Sequence, residues 1–180
     1  MIRIQYGEAE QTDFPTVIAF DPGGTTGWCV MTVHYEALLS DDYPILDNII
    51  HHSQGELLGD EIGQLDEIAS LFDVWDSAAI VFEDFQLRTL AAELSPVRIK
   101  AVAEYIAATM FLPARTVFDQ MPSLAMTTAT DERLKSWGLY HKGEEHARDA
   151  ERHAITFLRR AKTNRKLRTA AWPKLYPKAV

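Results

Sequence analysis

Three acids stand where the chain could bring them together. Asp21 follows the apolar run VIAF and precedes Pro22-Gly23-Gly24; Glu83 follows AAIVF; Asp149 lies in EEHARDAERH, three residues after His146. Carboxylate oxygens are what hard divalent cations take as ligands, so an oxygen-rich trio beside an imidazole suits magnesium or manganese. Each residue also has a plainer reading. An Asp before Pro-Gly often fixes a turn through its side chain, Glu83 beside Asp84 would serve as the polar end of a strand, and a His-x-x-Asp pair commonly lines a solvated helix face. The turn DPGGTTG could instead cradle phosphate. The combination favours the metal: two buried strands both stop at acids, and a helix carries acid and imidazole on a face lined by Ala147, Ala150 and Ala154.

The elements that must position these groups follow from periodicity. TVIAF (16–20) is apolar on both faces, as a central strand should be, and TGWCVMTV (26–33) and NIIHHSQGEL (48–57) complete an antiparallel meander, with a loop from Ser40 to Asp47. DEIGQLDEIASLFDVW (60–75) has helical spacing, with Asp60 as N-cap and Ile62, Leu65, Ile68, Ala69, Phe72 and Trp75 facing inward. AAIVF (78–82) is a fourth strand. Ser95 as N-cap and Pro96 at the first position open a helix whose buried face is expected at Val102, Tyr105, Ile106 and Thr109. ARTVFDQ (114–120) is a short strand, TDERLKSWG (130–138) a capped helix, and 144–162 a long last helix.

This order predicts an α/β fold with a mixed sheet. If the first and fourth strands are parallel neighbours, about 5 Å apart, Asp21 and Glu83 share the carboxyl edge of the sheet. His146, Asp149 and His153 share one face of the last helix, and its alanines allow close approach to the sheet. His51 and His52, adjacent on a strand, must point to opposite faces and cannot serve one ion together. Cys29, Trp28 and Trp75 read as core.

The totals bound the rest. With 180 residues, 47% of them hydrophobic, the chain suits one domain, divided here into a body of 1–162 and a basic tail of 163–180. A single cysteine rules out an intramolecular disulfide and disfavours a cysteine-based zinc knuckle, which fits a reducing, cytoplasmic setting. No apolar run is long enough to span a bilayer, and MIRIQYGEAEQTDF lacks the order of a signal peptide. The net charge of −8 is unevenly placed: no acid follows Glu151, whereas nine basic residues do. Such an arm, including Arg165, Lys166 and Arg168, is a candidate for meeting nucleic-acid phosphate, or else a solvated tail. Trp172 and Tyr176 within it could stack on a base or dock on the chain's own domain.

Taken in order and spacing, VIAFDPGGTTGW, IVFEDF and EEHARDAERH resemble the RuvC-like Holliday junction resolvases of the RNase H-like superfamily, in the form carried by bacteriophages and actinobacterial prophages. The resemblance runs from about Val17 to Arg160. It implies a five-stranded mixed sheet, the first three strands antiparallel, flanked by helices. It implies an endonuclease of DNA recombination and repair that cuts four-way or other branched DNA, leaving 5′-phosphate and 3′-hydroxyl ends. Asp21, Glu83 and Asp149 would hold two Mg2+ or Mn2+ ions about 3.5–4 Å apart, with Asp21 bridging them. His146 stands where the family has His or Asp, as a ligand or a proton carrier. A homodimer would place one site on each cut strand, with the helix from Ser95 as the candidate dimer face. Arg88, Arg98 and Lys100 are candidate phosphate contacts and Phe85 a candidate stacking wedge; a phage-encoded protein would work in the host cytoplasm.

Other readings use some of the same residues. A nuclease of RNA–DNA hybrids or of DNA packaging needs similar ligands. DPGGTTG also resembles the first phosphate loop of sugar kinases and actin-like ATPases, but those need a second domain and a second Gly-rich turn. A non-catalytic DNA-binding scaffold has no need of three converging acids.

Overall fold

The computed structural model of the chain describes residues 14–75, 78–84, 94–110 and 116–177. Five strands form one sheet: β1 (Thr16–Asp21), β2 (Thr26–Val33), β3 (Ile49–Leu57), β4 (Ala79–Glu83) and β5 (Val117–Gln120), in the spatial order β3-β2-β1-β4-β5. The β1–β2 and β2–β3 pairs are antiparallel, whereas β1–β4 and β4–β5 are parallel. This is the expected mixed sheet with an antiparallel opening. Among the described residues six helices flank it: α1 (Glu61–Val74), α2 (Ser95–Thr109), α3 (Pro122–Thr128), α4 (Asp131–Ser136), α5 (Glu145–Thr163) and α6 (Arg165–Ala171).

Strand alternation sorts the core into two layers. Val17, Ala19, Cys29, Met31, Val33 and Val81 pack with Ala150, Ala154, Ile155 and Leu158 of α5. Ile18, Phe20, Val30, Ile80 and Phe82 face the other way, onto Ile68 and Phe72 of α1 and Ile99, Ala103 and Ala107 of α2. There Phe20 stacks on Phe82 with ring centroids 5.0 Å apart and meets Phe72 edge-on at 5.9 Å, so β1 and β4 are locked side by side. Residues 145–163 contain no glycine or proline, and the small stripe Ala147, Ala150, Ala154 and Ala161 is fully buried. The long helix therefore lies close against β1 and β2.

Several local expectations are corrected. Ile62 is 72% exposed; α1 buries Gln64 instead, for a reason that emerges at the site. In α2 the inward face is Pro96, Ile99, Ala103 and Ala107, while Val102 and Tyr105 face outward, Tyr105 at 66% exposure. The helix carries apolar residues on two sides, and the side with the small residues turns to the core, where α2 runs close against α1. Ser95 is the first helical residue and Leu94 occupies the N-cap without a side-chain bond. The Ser40–Asp47 loop is flanked by two 3-10 turns, Tyr35–Leu38 and Leu46–Asn48, and α3 and α6 were not read from the pattern. Asp60 caps α1 as expected, accepting from Gly63 N.

The basic end docks on its own domain. Asn164 caps α6 by accepting from Leu167 N at 3.1 Å. Trp172 is buried in the α5-side core, stands edge-on to Phe157, and donates from Nε1 to Thr16 O at 2.9 Å. Tyr176 donates to Tyr35 O at 2.8 Å. Since Thr16 begins β1, this end sits at the sheet edge opposite Asp21.

Candidate active site

The turn after β1 is held from below. Gln64 of α1, 1% exposed, donates through Nε2 to Gly24 O at 2.9 Å and Gly59 O at 3.2 Å, while its Oε1 accepts from Thr26 Oγ1 at 2.5 Å. Gly23 N donates to Thr26 Oγ1 at 3.4 Å. A buried amide with both ends satisfied fixes where the chain turns, and so where Asp21 points.

Asp21 and Glu83 are one step beyond the paired Phe20 and Phe82 of the parallel β1–β4 ladder, which places both at the same sheet edge. The first turn of α5 arrives over Gly27, the register partner of Asp21. A Cβ on Gly27 would stand 1.9 Å from His146 O and 2.6 Å from Ala147 N; only glycine permits this approach. Glu56, opposite Gly27 on β3, accepts from His146 N at 3.0 Å, satisfying one of the open amides at the helix N-terminus.

From that seat α5 engages all three acids. His146 Nδ1 lies 2.8 Å from Asp21 Oδ2. His153 Nε2 lies 3.0 Å from Glu83 Oε2. Arg152 donates from Nη1 to Asp149 Oδ1, from Nη2 to Asp131 Oδ1 and from Nε to Ala129 O. One oxygen of each carboxylate is thus taken by a side chain of a single helix. Burial pushes Asp21 up to about 6, against the pull of the His146 hydrogen bond and with help from the charges of Glu83 and Asp149. For His146, burial acts downward, but the bond and charge of Asp21, together with Glu56 and Asp149, raise it above the ordinary imidazole value. Perturbed acid–base groups in direct contact are common at places built for proton or charge chemistry.

Three carboxylates, two of which act by their charge on Asp21, fit a hard divalent cation better than a soft one. As the side chains stand, no three His, Cys, Asp or Glu groups among the described residues are drawn tightly enough to grip an ion.

The remaining candidates are scattered. Lys100 is mostly buried among Asp119 at 2.7 Å, Asp84 at 3.7 Å and Glu104 at 3.9 Å. Arg98 reaches Glu61 at 3.4 Å on the α1–α2 side. Phe85 and Arg88 lie outside the described residues. Arg168 donates to Ala161 O and Lys162 O, both at 2.8 Å, closing the C-terminus of α5, while Arg165 and Lys166 are exposed at the start of α6, just past the far end of α5. At 1.5 Å per residue they stand about 20 Å from Asp149. His51 packs against Trp75 on the α1 side, and His52 turns to the α5 side, where Nε2 is 2.9 Å from Glu151 Oε1 without the alignment of a hydrogen bond. The pair is split across the sheet as expected.

Sequence reasoning passed over Glu56, Gln64, Gln120 and Arg152, and noted His153 only as sharing a face. Arg152 and His153 had a signal: charged and polar residues on the buried flank of an amphipathic helix need partners. Glu56 and Gln120 carried none.

No protein-family model matches the sequence, and no curated protein does. Two solved structures are similar in shape. Thermus thermophilus RuvC matches with a TM-score of 0.56 at 17% identity over 82% of this chain and 96% of that one. T. thermophilus RuvC in complex with Holliday junction substrate matches with a TM-score of 0.55 at 15% identity, over 83% and 96% respectively. The likeness spans nearly the whole of those chains: this protein has the RNase H-like α/β fold of RuvC.

Proposed function

We propose that this chain is a divalent-metal-dependent endonuclease that resolves four-way or other branched DNA. The observation that carries the reading is the meeting of Asp21, Glu83 and Asp149 at the carboxyl edge of β1 and β4, each held by a side chain of α5. Asp21, Glu83 and Asp149 would hold Mg2+ or Mn2+. When bound, such ions lower the pKa of water for in-line attack on phosphate and stabilise the leaving oxygen. The protein's own share would be to place the three acids and to hold His146 within proton-transfer reach of Asp21. The products would carry 5′-phosphate and 3′-hydroxyl ends. The fold shared with a RuvC solved with a Holliday junction supports a branched-DNA substrate. The DPGGTTG turn, tied down by Gln64 and covered by α5, is occupied with its own packing, which supports metal ligation at Asp21 over phosphate cradling.

The same reading assigns residues 1–162 to the nuclease body and 163–180 to a basic appendage, with Arg165 and Lys166 touching an arm of DNA away from the cut. It also assigns a homodimer whose interface is the outer face of α2, where Leu94, Val102, Tyr105 and Met110 are exposed. No helix among the described residues is long and apolar enough to cross a membrane.

A panel of labelled four-way junction, linear duplex and RNA–DNA hybrid, each with Mg2+ or Mn2+, tests the substrate. Paired symmetric nicks in the junction alone are expected. Preferential cutting of the hybrid moves the protein to the ribonuclease reading.

A further inference from the structure

Glu83 is held by a chain of polar groups whose inner members, Gln120 and His153, are buried and whose outer end is the exposed Arg160. Gln120 ends β5, pairs in register with Glu83 on β4, and is 2% exposed; His153 of α5 is 1% exposed. Gln120 Nε2 lies 3.1 Å from His153 O and 3.0 Å from His153 Nδ1, and Arg160 Nη1 lies 3.4 Å from Gln120 Oε1. The carbonyl of His153 can only accept, and the guanidinium of Arg160 can only donate. These two partners fix which end of the amide is which: reversing it would set oxygen against oxygen and N–H against N–H. The Gln120 N–H therefore donates to Nδ1, which must carry a lone pair. The imidazole proton is left on Nε2, which faces Glu83 Oε2 at 3.0 Å.

We infer that His153, held by Gln120 as the neutral Nε2–H tautomer, is a positioning residue that donates to one oxygen of Glu83 and presents the other to the metal. The inference rests on the metal-ligand reading of Glu83 and adds to it an outer support that runs Gln120, His153, Glu83. Outer partners of metal ligands fix their orientation, and losing one typically weakens metal binding about 10–100-fold. The arrangement also explains why this helix keeps a histidine wholly inside the packing: its ring links the Gln120 amide to the Glu83 carboxylate.

Two measurements test it. In metal-free protein labelled with 15N at histidine, long-range proton–nitrogen spectra, assigned by comparison with His153→Gln, should show His153 with a protonated Nε2 and a bare Nδ1. A protonated Nδ1, alone or together with Nε2, overturns the inference. By calorimetric titration with Mn2+, His153→Ala should bind about 10–100-fold more weakly than wild type. His153→Gln, whose amide can donate in place of Nε2–H, should recover much of that loss, so poor folding of the alanine variant leaves the test intact. Lost affinity in Glu83→Gln with unchanged affinity in both His153 variants overturns the inference alone. Unchanged affinity in Glu83→Gln and Asp21→Asn overturns the metal reading and the inference with it.

Discussion

Replacing Gly27 by alanine asks whether the seat of α5 on β2 makes the site. The added Cβ would lie 1.9 Å from His146 O, 2.1 Å from His146 C and 2.6 Å from Ala147 N. All three are backbone atoms, so no side chain can swing aside. Carbon contacts settle near 3.5 Å, so the first turn of α5 must withdraw by about 1.5 Å. Overpacking of this kind costs about 1–3 kcal/mol, which urea denaturation reads directly. The functional cost is larger. His146 would leave Asp21, and a shift of about 1 Å in a reacting group can cost about 100-fold in rate. Gly63→Ala is the control: that Cβ would meet only Asp60 Oδ1, at 3.4 Å, and alanine favours the helix by about 0.5–1 kcal/mol. We expect Gly27→Ala to fold, lose about 1–3 kcal/mol and cleave a junction at least about 100-fold more slowly, with Gly63→Ala at or above wild-type stability and equally active. Wild-type stability and cleavage in Gly27→Ala would refute the argument that close approach at this glycine assembles the site.

Further outcomes follow from other contacts. Because Asp21 sits at about 6 when folded against 3.8 otherwise, its ionisation opposes folding above pH 6 and not below about pH 4. In chelator, Asp21→Asn should therefore be about 1–3 kcal/mol more stable than wild type at pH 7, the lost His146 bond being a partial offset, and this difference should vanish on acidification. Trp172→Ala removes a buried indole and its bond to Thr16 O, and should cost about 3–5 kcal/mol in denaturant unfolding; a negligible change would mean the basic end does not dock. The proposed homodimer is read by light scattering: wild type should run as a dimer and Tyr105→Glu, on the exposed face of α2, as a folded monomer, and a monomeric wild type overturns the homodimer. A dimer that persists places the interface elsewhere.

The limits of sequence reading are visible at particular residues. The strands were legible because TVIAF and AAIVF are apolar on both faces, and their acids sit at the same edge because β1 and β4 are parallel. The inner face of α2 was misread because its pattern offers two apolar sides, and Ala103 and Ala107 contribute closeness rather than bulk. Ile62 looked buried by spacing, yet the position that matters is Gln64, a polar residue whose reason is a turn forty residues earlier in the chain. Glu56 and Gln120 act only across elements, and Arg152 ties Asp149 of its own helix to Asp131 and Ala129, so their meaning arises from which strands and helices meet. Gly27 belongs to the expected second strand, 26–33, as well as to DPGGTTG; that it admits a helix from 119 positions onward is a fact of packing. The charge asymmetry was real, but Trp172 and Arg168 use that end to complete the core and close α5.

Cleavage of a labelled four-way junction by the purified protein, with Mg2+ added or withheld, tests the central claim most directly when Asp21→Asn, Glu83→Gln and Asp149→Asn are run beside wild type. We expect paired nicks with 5′-phosphate ends that require the metal and disappear in all three variants, each still folded by circular dichroism. Cleavage that survives in any folded variant, or a wild type that binds the junction tightly and leaves it uncut with Mg2+ and Mn2+, would contradict the account.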